Sequence, residues 1–202
     1  YIGPGMCEFG NMFRVVDCPE NYIMNRICTV DLRMLSRNVA THSDMLMWNE
    51  NESVEGAALM ILNVMFSVIQ FSMRIENLSE EQIKMSKFWL GFAKENRALL
   101  LESKFAAYEP QHFYPIIKAY DEKAEIIGVY EDKKIVKIDR LDNIKIINAT
   151  KSERIYIETD FSKEYNIVVR NCMGEIINRC IHSFAEGVYA LDVPGCALIE
   201  LF

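Results

Sequence analysis

The sequence predicts an α/β portion followed by an all-β portion, and three observations carry that reading. Up to about residue 103, short apolar runs alternate with long segments of helical period. Beyond residue 113 only short alternating runs remain, separated by turn residues. The first part repeats strand and helix in the rhythm of a parallel sheet, whereas the second has the tight connections of an antiparallel β-sandwich. The expected division is residues 1–110 for the β/α part and 111–202 for the C-terminal sandwich. No internal repeat, low-complexity tract or Ser/Gly linker separates them, so the two parts are expected to pack directly together.

Gly3-Pro4-Gly5 reads as a turn, because it lacks the Lys-Ser/Thr ending and the further glycines of a phosphate loop. The first strand covers residues 12–17, Met-Phe-Arg-Val-Val-Asp. Pro19 and Glu20 open the next helix, where a missing N–H is tolerated and an acid suits the positive end. That helix carries Tyr22, Ile23, Ile27, Val30 and Met34 on its expected buried side. A second strand is expected over 39–42, with Ser43 and Asp44 just past its end. Ser53 then caps a helix so apolar, with Ala57, Ala58, Ile61, Leu62, Met65 and Val68, that it should be buried on most sides.

A third strand over 71–75 leads to Ser79-Glu80-Glu81-Gln82, the Ser-x-x-Gln form of a capping box. The helix it opens is expected to reach about residue 101, with Ile83, Phe88, Trp89, Phe92 and Leu99 as core. Sandwich strands follow at 114–119, 124–130, 133–138, 143–148, 153–158, 165–171, 174–181, 187–192 and 196–201. The methionines, among them Met60, Met65, Met73 and Met85, read as adaptable core filling.

With 202 residues, half of them hydrophobic, the chain has ample core for one medium domain or two small ones. A net charge of -7 disfavours nucleic acid and anionic membrane surfaces and suits a neutral ligand. Six cysteines include no Cys-x-x-Cys pair and none spaced from a histidine as in a zinc finger; reduced, mostly buried thiols are expected. His112 and His182 are isolated from acids and cysteines, so neither a metal nor another cofactor is expected. No apolar run is long enough for a bilayer, and the first residues from Tyr1 do not read as a basic and apolar leader, which says little about a parent protein. The expected compartment is cytoplasmic, with a secreted or periplasmic parent left open.

Asp17 is the leading catalytic candidate. A carboxylate where a buried strand turns straight into a helix has the layout that presents a side chain at a barrel mouth, and β/α barrels build active sites on that face. Capping of the following helix is the competing role. Arg14 alternates in phase with Val16, opposite to Val15 and Asp17, so an ion pair or a ligand contact both stay open. His42, Ser43 and Asp44 superficially suggest a triad, but adjacent residues rarely converge on one point. Asp44 is either a ligand contact or a cap. Trp48 either stacks on a ligand or packs.

Four segments, FGNMFRVVDCPE, LRMLSRNVATHSDMLMWNENESVEGAALMILNVMFSV, FWLGFAKENRALLLESKFAAYEPQHFYPIIKAYDEKAEIIGVY and IKIINAT, resemble in order the carboxyl-terminal portion of family 36 glycoside hydrolases, the melibiase-like α-galactosidases. The resemblance implies the last β/α units of a TIM-type (β/α)8 barrel followed by the sandwich, and a retaining enzyme acting on terminal α-linked galactosides. It implies Asp17 as general acid/base and Arg14 near the sugar, although the spacing of three residues differs from the four frequent in related enzymes. The sugar pocket is expected to draw on Asp44 and Trp48 as well.

The family's nucleophilic aspartate lies on an earlier strand, so this chain alone is expected to be inactive. Members often associate, which makes a homo-oligomer one expected state of the full-length parent. The other reading is a noncatalytic carbohydrate-binding or interaction module of the same architecture.

Overall fold

The computed structural model describes residues 4–18, 21–36, 39–139 and 141–202. Thirteen strands in three sheets and four α-helices make up the described chain. The first sheet is small and parallel. Its strands are β1 (Met12–Arg14), β2 (Ala40–Leu46) and β3 (Val68–Phe71), joined through α1 (Tyr22–Ser36) and α2 (Val54–Leu62). Then α3 (Glu80–Glu95) and α4 (Arg97–Glu102) lead into β4 (Lys104–Tyr108), β5 (Ile116–Tyr120), β6 (Ala124–Val129), β7 (Ile135–Lys137), β8 (Asn143–Asn148), β9 (Arg154–Thr159), β10 (Lys163–Arg170), β11 (Ile176–Phe184), β12 (Gly187–Asp192) and β13 (Leu198–Leu201).

The expected fold class is overturned. Three parallel strands with both outer edges unpaired form an open sheet, and no TIM barrel is present among the described residues. Closure needs a full ring of strands, which β1–β3 do not supply. The mass of the molecule lies instead in a seven-stranded sheet ordered β11-β10-β13-β8-β6-β5-β4 and a three-stranded sheet ordered β12-β9-β7. This sandwich is not wholly antiparallel either, since β6 pairs with β8 and β7 with β9 in parallel. Each pair is separated in sequence by a connection that crosses to the opposite sheet and back.

Side-chain alternation explains the layers. Ile126, Ile147 and Leu198 face a core shared with α2 and α3, whereas their neighbours Ile127, Ile146 and Ile199 face a second core shared with the three-stranded sheet. The middle strands of the seven-stranded sheet are therefore covered on both faces, which accounts for their unbroken apolar pairs, whereas the edge strand β11 is mostly exposed. β4 was not foreseen; it follows α4 directly and pairs with β5, from Lys104 opposite Tyr120 to Tyr108 opposite Ile116.

Helix starts follow the sequence closely. The Ser53 hydroxyl accepts the Gly56 N–H at 3.0 Å, and Ser79 with Gln82 forms a reciprocal capping box. The long helix foreseen after Ser79 breaks at Asn96, whose side chain bonds back to the Phe92 carbonyl at 2.8 Å. Trp89 is fully buried, as its spacing predicts. β3 lies at Val68–Phe71, earlier than expected, because these residues run beside β2.

The face of α1 is the main local correction. Ile23 and Met34 are exposed, and the buried side holds Asn25, Arg26, Thr29 and Arg33 together with Val30 and Leu32. Arg33 donates to the carbonyls of Phe66 at 2.7 Å and Leu100 at 2.6 Å, with its guanidinium 4.0 Å from the centre of the Phe105 ring. Arg26 donates to the Phe113 carbonyl at 3.0 and 3.2 Å and lies over Tyr130. A burial pattern built on apolar residues misses this face, because its contacts are to main-chain oxygens that need donors.

Candidate functional site

β1 and β2 are parallel, so the residues that follow Arg14 and Leu46 leave the small sheet at the same end. Asp17, three residues past β1, has 79% of its side chain exposed. The Arg14 guanidinium donates to its Oδ1 at 2.7 Å through Nη1, and to Asp44 Oδ1 through Nη2. The opposite phasing expected for Arg14 and Asp17 does not hold, since regular strand ends at Arg14 and the alternation stops there. The hydrogen bond that Arg14 donates to Asp17, reinforced by Asp44, holds the guanidinium pKa above its ordinary value.

Asp44 is placed quite differently. β2 runs on through Ser43 and Asp44 to Leu46, so neither residue lies past a strand end, and both are fully buried. Asp44 Oδ1 also accepts the Met45 N–H at 2.8 Å, its Oδ2 accepts the Cys18 N–H, and its own N–H donates to Asn25 Oδ1 at 3.1 Å. Both oxygens of this carboxylate accept hydrogen bonds inside the protein. Asp44 holds Arg14 and the turn at Cys18 in place.

No triad forms. The Ser43 hydroxyl donates to the Asp44 carbonyl at 2.8 Å and accepts the Gln70 N–H at 3.0 Å, while His42 Nδ1 lies 2.9 Å from the Ser43 carbonyl oxygen. The capping role considered for Asp17 falls to another residue. Asn21 accepts the Met24 N–H at 3.0 Å and opens α1; the expected start at Pro19 and Glu20 lies outside the described residues.

Trp48 follows β2 and lies 8% exposed, edge-on to Phe71 with ring centres 5.7 Å apart. It lines a hollow of about 420 Å³ with Tyr22, Asn49, Glu52, Gly56 and Lys151. Its indole Nε1 is buried without a hydrogen-bond partner among the described residues, and so is Asn25 Nδ2 beside Asp44. Trp48 thus packs against Phe71 and borders the hollow with the little of its side chain that stays exposed.

Tyr22, Asn25, Glu52 and Lys151 were not foreseen in this region. Tyr22 follows the Asn21 cap, a signal visible in the sequence. Lys151 comes from the turn between β8 and β9, so only the folded chain brings it to the hollow.

No family model and no curated protein matches the chain. Among solved structures it is similar to a 4-O-α-L-rhamnosyl-β-D-glucuronidase from Fusarium oxysporum, with a TM-score of 0.43 and 10% identity over 95% of this chain and 52% of that one. A glucosidase from Croceicoccus marinus is similar at 0.40 and 10% identity, over 94% and 52% of the two chains. CelM2, a bifunctional glucanase-xylanase from a metagenome library, follows at 0.38 and 10%, over 84% and 32%. This chain spans about half the length of the first two. The solved structures it is similar to are glycoside hydrolases, at low identity.

Proposed function

We propose that the chain is part of a retaining glycoside hydrolase acting on terminal α-linked galactosides, with Asp17 as the general acid/base. The supporting observation is the placement of Asp17, a solvent-facing carboxylate held by Arg14, which is itself anchored on a buried carboxylate of the adjacent strand. The sequence resemblance points to the same residue. In this reading Arg14 fixes the side chain and borders the sugar, and Trp48 contributes an apolar edge to the neighbouring hollow.

A retaining mechanism needs a second carboxylate roughly 5 Å away to attack the anomeric carbon. Asp44 is unsuited to that role, because its oxygens are engaged. The nucleophile would come from polypeptide other than this chain. The same observation favours a second reading, a noncatalytic carbohydrate-binding module, should the longer protein supply no such acid.

The test is leaving-group dependence in the longer protein. Asp17→Ala should reduce kcat/KM by on the order of 100-fold or more on galactosides with poor leaving groups, and much less on activated aryl galactosides, which need no protonation. A small loss equal for both substrates would remove Asp17 from the chemistry. The present chain alone should show no turnover of nitrophenyl α-galactoside; binding without turnover in the longer protein would select the second reading.

A further inference from the structure

The two sheets of the sandwich differ in width, and the mismatch leaves a groove. Seven strands face three, and β7 is an edge strand of the narrower sheet while β4 is an edge of the wider one. By register, Tyr108 of β4 and Ile116, Lys118 and Tyr120 of β5 share the face that looks toward the three-stranded sheet. Together with Ile135 of β7 and Asp139, they line a space of about 460 Å³. That falls in the range of about 300–1,000 Å³ usual for small-molecule sites.

The groove carries an ion pair that packing alone does not explain. Lys118 Nζ donates to Glu125 Oε2 at 3.1 Å and to the Lys137 carbonyl at 2.6 Å, and Glu125 Oε1 accepts the Asp139 N–H at 3.2 Å. The Glu125 side chain has no exposure and that of Lys118 has 11%. Such a pair is seldom more stabilising than apolar residues of the same volume. An ammonium has three protons, and the third of Lys118 has no partner among the described residues.

The loop that closes one end is held in an uncommon conformation. Glu109, Phe113 and Tyr114 all adopt positive φ, between 54° and 60°. Three such residues, none of them glycine, cost energy that the surroundings must offset. Lys134 holds the Glu109 carboxylate at 2.7 Å, and Arg26 holds the Phe113 carbonyl from α1. The groove is thus fixed from both sides.

We propose that this groove is a second, noncatalytic binding site for a neutral saccharide. Tyr108, 46% exposed, and Tyr120 supply faces for the C–H side of a sugar ring, the spare N–H of Lys118 meets a hydroxyl or ring oxygen, and Asp139 accepts hydroxyl protons. The lining sets Glu109 and Asp139 against Lys118 and Lys137, and this balance of charge suits a neutral ligand. The assignment rests on the sandwich alone and does not require Asp17 to be catalytic.

The experiment is a titration of the whole chain with raffinose and, separately, with cellobiose and with phenol, followed residue by residue by NMR. Either saccharide should shift the signals of Tyr108, Lys118, Tyr120 and Ile135, and Tyr108→Ala and Tyr120→Ala should each weaken that binding about tenfold, equivalent to about 1.4 kcal/mol. Thermal unfolding of the Tyr108→Ala chain should stay near that of the parent. Shifts confined to the surroundings of Asp17 and Trp48 would overturn the groove proposal while leaving the glycosidase reading standing. Binding of phenol at the groove without either saccharide would overturn the ligand class, and no shift there with any probe would overturn the site.

Discussion

Arg14 and Asp44 meet across neighbouring parallel strands, and the buried carboxylate of Asp44 positions a guanidinium whose other nitrogen carries the exposed Asp17. The two aspartates are therefore unequal partners of one arginine. Asp44 should matter to folding and Asp17 to chemistry.

Asp44→Ala should destabilise strongly, since it removes the acceptor that the Arg14 guanidinium and the half-buried Cys18 and Met45 N–H groups share. Asp17→Ala should leave the unfolding midpoint close to that of the parent, because its pair with Arg14 is solvent-exposed. Urea unfolding of both variants checks the contrast. Equal losses would mean that the two carboxylates share the anchoring.

The inverted face of α1 gives a second contrast. Arg33→Met should cost about 1–3 kcal/mol for each of the two carbonyls it abandons, at Phe66 and Leu100. Burial already pulls the Arg33 pKa down to about 10, a sign of how thoroughly this guanidinium is removed from water. Ile23→Ser, on the exposed side, should change stability by no more than about 0.5 kcal/mol. The reverse ranking by chemical denaturation would restore the apolar face as the packed one.

Acid should relieve the sandwich where Glu125 lies. Burial raises its pKa and the charge of Lys118 partly offsets the rise. The folded state thus binds this proton more tightly than the unfolded one. Its contribution to stability is fully present below the unfolded carboxylate range and is lost as pH rises through the raised folded value. Lys118→Met should cost about 3–5 kcal/mol near neutral pH, where Glu125 is left charged and unpaired, and clearly less in mild acid. A loss independent of pH would show that the lysine acts through its stem alone.

Thiol reactivity should follow burial. Cys196 is fully buried and burial pushes its thiol up to about 12, and Cys172 is pushed up to about 11 for the same reason. Cys180 is exposed on β11, an edge strand. Peptide mapping after brief maleimide treatment should find Cys180 modified well before Cys172 and Cys196, which should react only as the chain unfolds. Early modification of Cys196 would require a local opening of the layer it shares with α2.

Local rules made much of this chain legible. The Ser53 and Ser79 caps, the burial of Trp89 and nine sandwich strands follow from patterns of a few residues, because hydroxyl caps and period-two alternation act over one turn or one pleat. The strand expected to run to Asp17 ends at Arg14 instead, three residues short of the carboxylate. Asp44 was not legible either, since the run Ala-Thr-His-Ser-Asp-Met-Leu does not reveal that β2 continues through a carboxylate. That depends on Arg14 and the Cys18 N–H arriving from a different part of the chain.

The sequence by itself determined the Ser53 and Ser79 helix starts, the burial of Trp89 and the succession of nine sandwich strands after residue 113. Only the tertiary structure decided that the small sheet stays open, that α1 turns its arginines inward, that β4 extends the wide sheet, and that Lys118 and Glu125 meet under two tyrosines. The physical reason is range. Hydrogen-bond caps and alternation are satisfied by neighbours in sequence, whereas a buried charge or an unpaired carbonyl is satisfied by whichever distant group the packed chain brings within reach.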